Sequence, residues 1–389
     1  MAQITTASYS QSSEFQPHYY PDLELFAAFQ KIREQHSSFP SALPDHLPKK
    51  VKSTLCWRGA ELQETDYVFQ LSPEHLQEIN RACSHFIASG LDISDASPET
   101  FVLSSLAQTL ASKRQSLHTG HGLTLFRGLD SARYSRKENI CIFAGLASHM
   151  AECFGTQSGG KTLSRFKGPA RLVTDPQTHC RIPVHTDQGD VVAMYTLSPT
   201  GVGGRGTFAS VGTIYNEMAS SAPELLAHLF EDEWPMDRPP NGKGLDGDGL
   251  YYRRPIMFLT EGNPEMMFSR GAIIQSPRGM RPPGIPNVTE DQNYALDAVH
   301  FAASKHLLRI EYLQGDLLFF NNRRLLHGRD AFSDRNGKHR HILRLWLKDE
   351  KLAGPAPHPT LRTLWAKIFD TSSCAEKAER QWPMEPDKS

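Results

Sequence analysis

The chain has little that would mark a metal ribbon, a redox dithiol, a membrane span or a nucleic-acid binder. Its six cysteines, Cys56, Cys83, Cys141, Cys153, Cys180 and Cys374, are widely scattered and none stands in a CxxC pair. Zinc-ribbon and thiol–disulfide chemistry are therefore disfavoured. Isolated thiols of this kind suit a reducing interior, where a buried cysteine behaves as a small apolar residue. Acidic and basic residues nearly cancel, with a formal net charge of −1. Without a general basic field, neither nucleic acid nor an anionic membrane surface is an expected partner. No run approaches the roughly 18 apolar residues of a membrane span. The opening segment MAQITTASYSQSSEF lacks the basic and apolar regions of a signal peptide, so the expected setting is cytoplasmic. There is no internal repeat, and HExxH and GxSxG are both missing, which lowers zincin-type protease and α/β-hydrolase readings.

What is present has the proportions of a globular protein. The 389 residues can hold one large domain or two ordinary ones and bury a sizeable core. Residues 1–60 are polar and proline-punctuated, and are expected to form a loosely structured arm. Residues 61–370 read as a single domain, and 371–389 as a polar tail. A helix is signalled from Ser72, which can cap it, with Pro73 in its first turn and Leu76, Ile79, Cys83 and Phe86 recurring until Gly90. A second helix is expected after Ser97-Pro98 and a third over about 137–154, with the strand GHGLTLFRGL (120–129) between them.

After about 170 the chain turns to short β-branched or aromatic runs separated by Gly and Pro: RIPVHTD, DVVAMYTLS, TFASV, PIMFLT, EMMFSRG, LLRIEYLQ, GDLLFFNN and HILRLWL. Two helical pieces interrupt them, around 222–230 and 290–304, the latter with Thr289 and Gln292 at capping-box spacing. Segment 234–254, rich in Pro, Gly and charge, is the candidate lid. The order predicts a mainly β fold with added helices, a double-sheet jelly roll preceded by a helical layer.

The chemistry is concentrated in His185-Thr186-Asp187, with His327 lying 140 residues beyond Asp187 and Arg340 another 13 beyond His327. A strand alternates its side chains, so His185 and Asp187 share a face while Thr186 points away. Two histidines and one carboxylate on one side of a metal, with other positions open, are the ligand set of non-haem Fe(II) oxygenases. With 17 histidines, about two His-x-acid triplets are expected by chance from composition alone, and this chain has one. The competing reading is an exposed strand-end histidine and acid. Arg340 and Arg344 lie on HRHILRLWL, where two buried arginines on one face call for an anion nearby. Their ordinary alternative is ion pairing to acids such as Asp316 or Asp330.

Two glycine-rich stretches carry other expectations. GTQSGGKT (155–162) matches the phosphate-loop pattern, with Lys161 and Thr162 as its working residues. Such a loop needs a strand before it and a helix after it. Here helical periodicity precedes it, and Gly168-Pro169 follows too soon for a good helix. GVGGRG (201–206) matches a dinucleotide fingerprint, but FASV after it reads as strand, so it is read as a turn.

With LTLFRGL, HTDQGDVVAMYTLS, GVGG, YNEMASSAPELL, EDQNYALDAV, GDLLFFNNRRLLHGR and the RHxxxR at 340–344, the chain resembles the TauD/TfdA family of Fe(II)- and 2-oxoglutarate-dependent dioxygenases over about residues 120–350. It is most similar to the clavaminate-synthase-like and butyrobetaine-hydroxylase-like branches and to fungal members. The resemblance implies a double-stranded β-helix (cupin-like) core, with Fe(II) bound by His185, Asp187 and His327. It implies that Arg340 grips the distal carboxylate of 2-oxoglutarate, and that Arg344 faces substrate. The family has Thr or Ser where this chain has Gly206, with Thr207 next to it. Either Thr207 supplies the second hold through a local bulge, or Arg340 is helped by another group.

The implied reaction consumes O2 and 2-oxoglutarate, releases succinate and CO2, and oxidises a C–H bond of a small acidic or zwitterionic molecule. Hydroxylation is the default outcome, with desaturation or ring closure compatible with the same ligands. Arg344, Arg270 and segment 234–254 are the candidate substrate contacts. A homo-oligomer is compatible with the sequence. A P-loop phosphotransferase, a zinc hydrolase on the same three ligands and a catalytically silent metal- or ligand-binding barrel are the other classes to be weighed.

Overall fold

Alternation along eight short strands decides the architecture, because each strand must bury one face between two sheets and the other beneath helices. The computed structural model describes residues 17, 19–35, 42–157, 160–167, 181–237, 250–274, 282–333, 339–369 and 382. The strands are β1 (Leu123–Arg127), β2 (Ile182–His185), β3 (Val191–Ser198), β4 (Gly206–Ser210), β5 (Leu308–Ile310), β6 (Leu317–Asn321), β7 (Leu325–Arg329) and β8 (His341–Lys348). The larger sheet runs β1-β6-β3-β8, with Val68–Gln70 outside β1 and Cys153–Phe154 and Ser164–Lys167 against β8. The smaller sheet is β5-β4-β7-β2, all antiparallel. From β2 to β8 the chain passes repeatedly from one sheet to the other. This is the expected jelly roll, a double-stranded β-helix.

Between the sheets lie Val192 of β3, Phe208 of β4, Leu318 and Phe320 of β6 and Ile342 of β8. Residues one step along, such as Ala193, Tyr195, Phe319 and Leu345, face the opposite way into a helical layer. That layer is α2 (Pro73–Ala88), α3 (Ser105–Thr119) and α4 (Arg136–Ser148), the expected N-terminal helical cover. A second layer, which contains the two helical pieces expected at about 222–230 and 290–304, is inserted between β4 and β5. It includes α5 (Val211–Ser221) and α6 (Glu290–Lys305), and it covers Val184, Ala209 and Leu326 on the outer face of the smaller sheet.

Local signals explain most element ends. The Ser72 side chain accepts the His75 N–H at 3.3 Å and Pro73 opens α2, while Thr289 and Gln292 close a capping box on α6. Helix α3 begins at Ser105, later than expected. Ser97 to Phe101 closes as a separate turn, with the Thr100 hydroxyl donating to the Asp95 carbonyl at 2.7 Å. The start of α3 is instead satisfied by Glu78 of α2, whose carboxylate accepts from Ser105 Oγ at 2.7 Å and from the Ser104 and Leu106 N–H groups. This is an N-cap supplied from another helix.

The loose-arm expectation for 1–60 is corrected where the chain is described. Helix α1 (Leu23–Gln35) lies on α6, with Phe29 stacked on Tyr294 at 3.9 Å and Phe26 5.1 Å from Phe301. Trp57 donates its indole N–H to the His121 carbonyl at 2.8 Å. The three-residue spacing of Phe26 and Phe29 is the helical signal that the surrounding polar sequence obscured. Residues 1–16 lie outside the described residues, as does the 371–389 tail apart from Trp382, which meets Phe154 at 5.4 Å.

A buried ionic network ties the barrel to its flanks. Arg323, only 2% exposed, bonds Glu265 at 2.7 Å, Asp190 at 3.2 Å and the Ala353 carbonyl at 2.7 Å. Replacing it leaves two buried carboxylates without that partner, the costly way to break a buried pair. Arg323→Met is expected to lower stability by roughly 3–5 kcal/mol, read by urea unfolding. Arg323→Lys should recover little, since one ammonium cannot reproduce the fork.

Candidate metal centre

The smaller sheet brings the two histidines together by register alone. His185 ends β2 and stands directly opposite His327 of β7, with ring centroids 4.3 Å apart. Asp187 lies just beyond β2, its Oδ2 3.5 Å from His327 Nε2. One ligand atom from each of the three residues falls within 4.8 Å of the others. Thr186 points away, as alternation requires, and is locked to Phe268 through its hydroxyl and its backbone.

The donors are prepared as ligands. His185 directs Nδ1 at the Pro183 carbonyl, 3.0 Å away, which fixes that nitrogen as the N–H and leaves Nε2 with its lone pair. Burial, reinforced by His327, pushes the His185 pKa down to about 4, so the ring is neutral at ordinary pH. His327 Nδ1 is buried with no hydrogen-bond partner among the described residues. Burial alone would raise the Asp187 carboxyl, but Arg344 and the two histidines outweigh it and hold it well below the usual carboxylate range. Two imidazoles and a carboxylate form a compact donor set able to hold a divalent first-row metal.

Around this cluster sit side chains the sequence did not single out. Asn322, fully buried between β6 and β7, accepts the Asp187 N–H at 2.9 Å and donates to the carbonyls of Asp187 and Gly189 at 3.0 and 2.9 Å. This amide thereby holds the loop carrying the carboxylate. Gln157 accepts from Arg344 Nε and Nη2 at 3.2 and 3.0 Å. Trp365, from α7 (Pro359–Phe369), donates to Gln188 Oε1 at 2.9 Å.

Arg344 reaches Asp187 with Nη1 at 2.9 and 2.7 Å from its two oxygens. Its guanidinium lies 4.8 Å from the Phe166 ring centroid and 5.3 Å from that of Trp346. Ile342 and Trp346 share its barrel-facing side, as the even-numbered alternation predicts. Arg340 lies past an irregularity at His341/Ile342. It is buried and lines a cavity of about 130 Å³ with Tyr312, Thr200 and Ile342. The acids named as ordinary partners are engaged by other arginines, Asp316 by Arg127 and Asp330 by Arg205.

Two expectations are corrected. Thr207 is not turned toward the metal cluster. Its ladder partner is Gly328, one step from His327, so its side chain points to the opposite face, toward the inserted helices. Arg270 is buried in that helical layer, held by Asp297 at 2.7 Å and Asn293 at 3.2 Å on α6. The phosphate-loop alternative, already disfavoured by its context, gains no support: the Gln157 N–H bonds the Lys161 carbonyl at 2.6 Å, and strand Ser164–Lys167 rather than a helix follows. Of the candidate lid, Trp234–Asp237 and Tyr251–Arg254 pair as the base of a hairpin with Trp234 fully buried. Residues 238–249 lie outside the described residues.

Residues 90–346, two-thirds of the chain, match the family described as taurine catabolism dioxygenase TauD, TfdA family. The chain belongs to the TauD/TfdA dioxygenases. Among its relatives is the taurine hydroxylase-like protein SAT17 of Stachybotrys chartarum, 29% identical over 87% of this chain and 90% of that one. Another is FR-33289 synthase of Streptomyces rubellomurinus, 25% identical over 78% and 92%. The same fold occurs in the iron-bound non-haem iron oxygenase OrfP, with TM-score 0.55 at 17% identity over 73% of this chain and 94% of that one. An asparagine oxygenase shares it too, with TM-score 0.56 at 16% identity over 72% and 93%. Membership makes the protein a non-haem iron dioxygenase with 2-oxoglutarate as co-substrate.

If Asn322 sets the direction of the Asp187 loop, its loss should weaken metal binding while the barrel remains folded. Asn322→Ala is expected to bind Fe(II), or Co(II) as a spectroscopic stand-in, roughly 10- to 100-fold less tightly. Metal titration alongside far-UV circular dichroism checks this.

Proposed function

We propose that His185, Asp187 and His327 hold Fe(II), and that the enzyme oxidises a C–H bond of a small acidic or zwitterionic molecule while converting 2-oxoglutarate to succinate and CO2. The observation that carries the reading is the meeting of three ligand atoms within 4.8 Å, with the histidines opposite each other on the paired strands β2 and β7 and the carboxylate just beyond β2. Bound iron supplies the activation of dioxygen that drives the oxidation.

This chain's own residues do the rest. Pro183 and Asn322 aim His185 and Asp187. Phe208, Phe320 and Trp346 line the space between the sheets and keep it dry, which strengthens every charge interaction inside. Arg340 suits the distal carboxylate of 2-oxoglutarate because a guanidinium pairs with a carboxylate through two parallel bonds. Arg344 keeps a positive charge beside the ligand cluster and an aromatic wall around it. That combination suits the anionic group of a substrate. One relative is called a taurine hydroxylase-like protein, and OrfP, which shares the fold, has been crystallised with L-arginine. We read residues 61–370 as one catalytic unit, with the inserted helical layer as part of its scaffold.

The test is anaerobic addition of 2-oxoglutarate to the Fe(II)-loaded protein, which should produce a visible charge-transfer band. Asp187→Ala should lose the band, as should His185→Ala and His327→Ala. A band unchanged in both histidine variants would sink the ligand assignment. Succinate release over a panel of amino acids, sulfonates and trimethylammonium acids should then single out the substrate. With it, Arg344→Met is expected to raise KM by tenfold or more, on the order of one lost charged hydrogen bond.

A further inference from the structure

The position where the family places a hydroxyl is Gly206, and the barrel shows what occupies that space. In the β4–β7 ladder Gly206 stands opposite Arg329 and Phe208 opposite His327, so Gly206, not Thr207, belongs to the metal-facing side. Its backbone is not in the left-handed region, so conformation does not demand glycine here. Space does. A Cβ at 206 would overlap the Tyr312 hydroxyl and lie 2.7 Å from its Cζ.

Tyr312 follows β5, whose Ile310 pairs with Gly206 itself. Between exposed Glu311 and Leu313 it turns inward, 8% exposed, among the residues between the sheets. It lines the same cavity as Arg340. Burial pushes its phenol up, only partly opposed by the nearby Arg340 charge, so the group stays a protonated donor.

We infer that the Tyr312 hydroxyl, reaching over Gly206, is the second hold on the distal carboxylate of 2-oxoglutarate beside Arg340. The assignment rests on the 2-oxoglutarate reading above and adds its missing anchor. The geometry suits a five-carbon diacid. Gly206 lies across from a residue two strand steps past His327, an offset of ~7 Å at the usual rise of a strand. A ligand chelated at the metal by its keto-acid end would lay its far carboxylate near that level. There the phenol O–H would donate to one carboxylate oxygen while the guanidinium supplies the charge. Tyr312 is on this account a binding residue, with Gly206 conserving the room for it.

Tyr312→Phe removes the hydroxyl and keeps the ring. Anaerobic titration of its Fe(II)-loaded form, followed by the charge-transfer band, is expected to show 2-oxoglutarate bound roughly 10- to 100-fold more weakly, with Fe(II) affinity unchanged. Pyruvate, a keto acid without the distal carboxylate, should bind wild type and variant alike. In a Tyr312→Ala background, adding Gly206→Ser should restore part of the lost 2-oxoglutarate affinity, since the serine then has both room and a hydroxyl. Unchanged 2-oxoglutarate affinity in Tyr312→Phe, or an equal loss for pyruvate, overturns the role of Tyr312 alone. A wild-type protein that loads iron but shows no band with 2-oxoglutarate overturns the parent reading as well.

Discussion

The site depends on keeping a carboxylate charged in a place that should neutralise it. Asp187 lies between two packed sheets, where an isolated charge costs several kcal/mol after relaxation. It survives because cation and donors converge on it. Arg344 reaches it from β8, the two imidazoles flank it, and Asn322 takes its backbone N–H. Each comes from a different part of the chain, so the charge is supported only when both sheets are in register. The barrel's topology and the ligand's ionisation are in this sense one constraint.

That constraint explains which features could be read from the residues. Alternation in RIPVHTD and HILRLWL placed His185, Asp187 and Arg344 on inward faces, because period two is a local property. Capping at Ser72 and at Thr289 was legible for the same reason. Partners across hundreds of residues were not. Nothing near Gln157 announces that it holds Arg344, and the octapeptide containing it carried a competing motif. Glu78 caps a helix other than its own, which shifted the start of α3 beyond the Pro98 signal. Thr207 shows the complementary failure: adjacency in sequence suggested a substitute for Gly206, but a one-residue step in a strand turns a side chain to the other face.

The helices divide the labour between the two outer faces. The N-terminal layer covers the larger sheet, while the insertion between β4 and β5 covers the smaller one and buries Arg270 with Asp297. Strong ion pairs such as this one, and the Arg323 network, stand outside the space between the sheets. Arg270 and Arg323 thus act as clamps between layers, whereas Arg344 pairs with Asp187 inside the barrel.

Helix α7 ties the site to the chain beyond the barrel. Trp365 bonds Gln188, and Phe369 closes against both Gly155 and Gly189, so the loop bearing Asp187 is backed by residues that follow every strand of the barrel. Chains fold from the N-terminus as they are made, and contacts distant in sequence form late. The metal-ligand loop therefore gains its full set of neighbours only after the segment Pro359–Phe369 has been made.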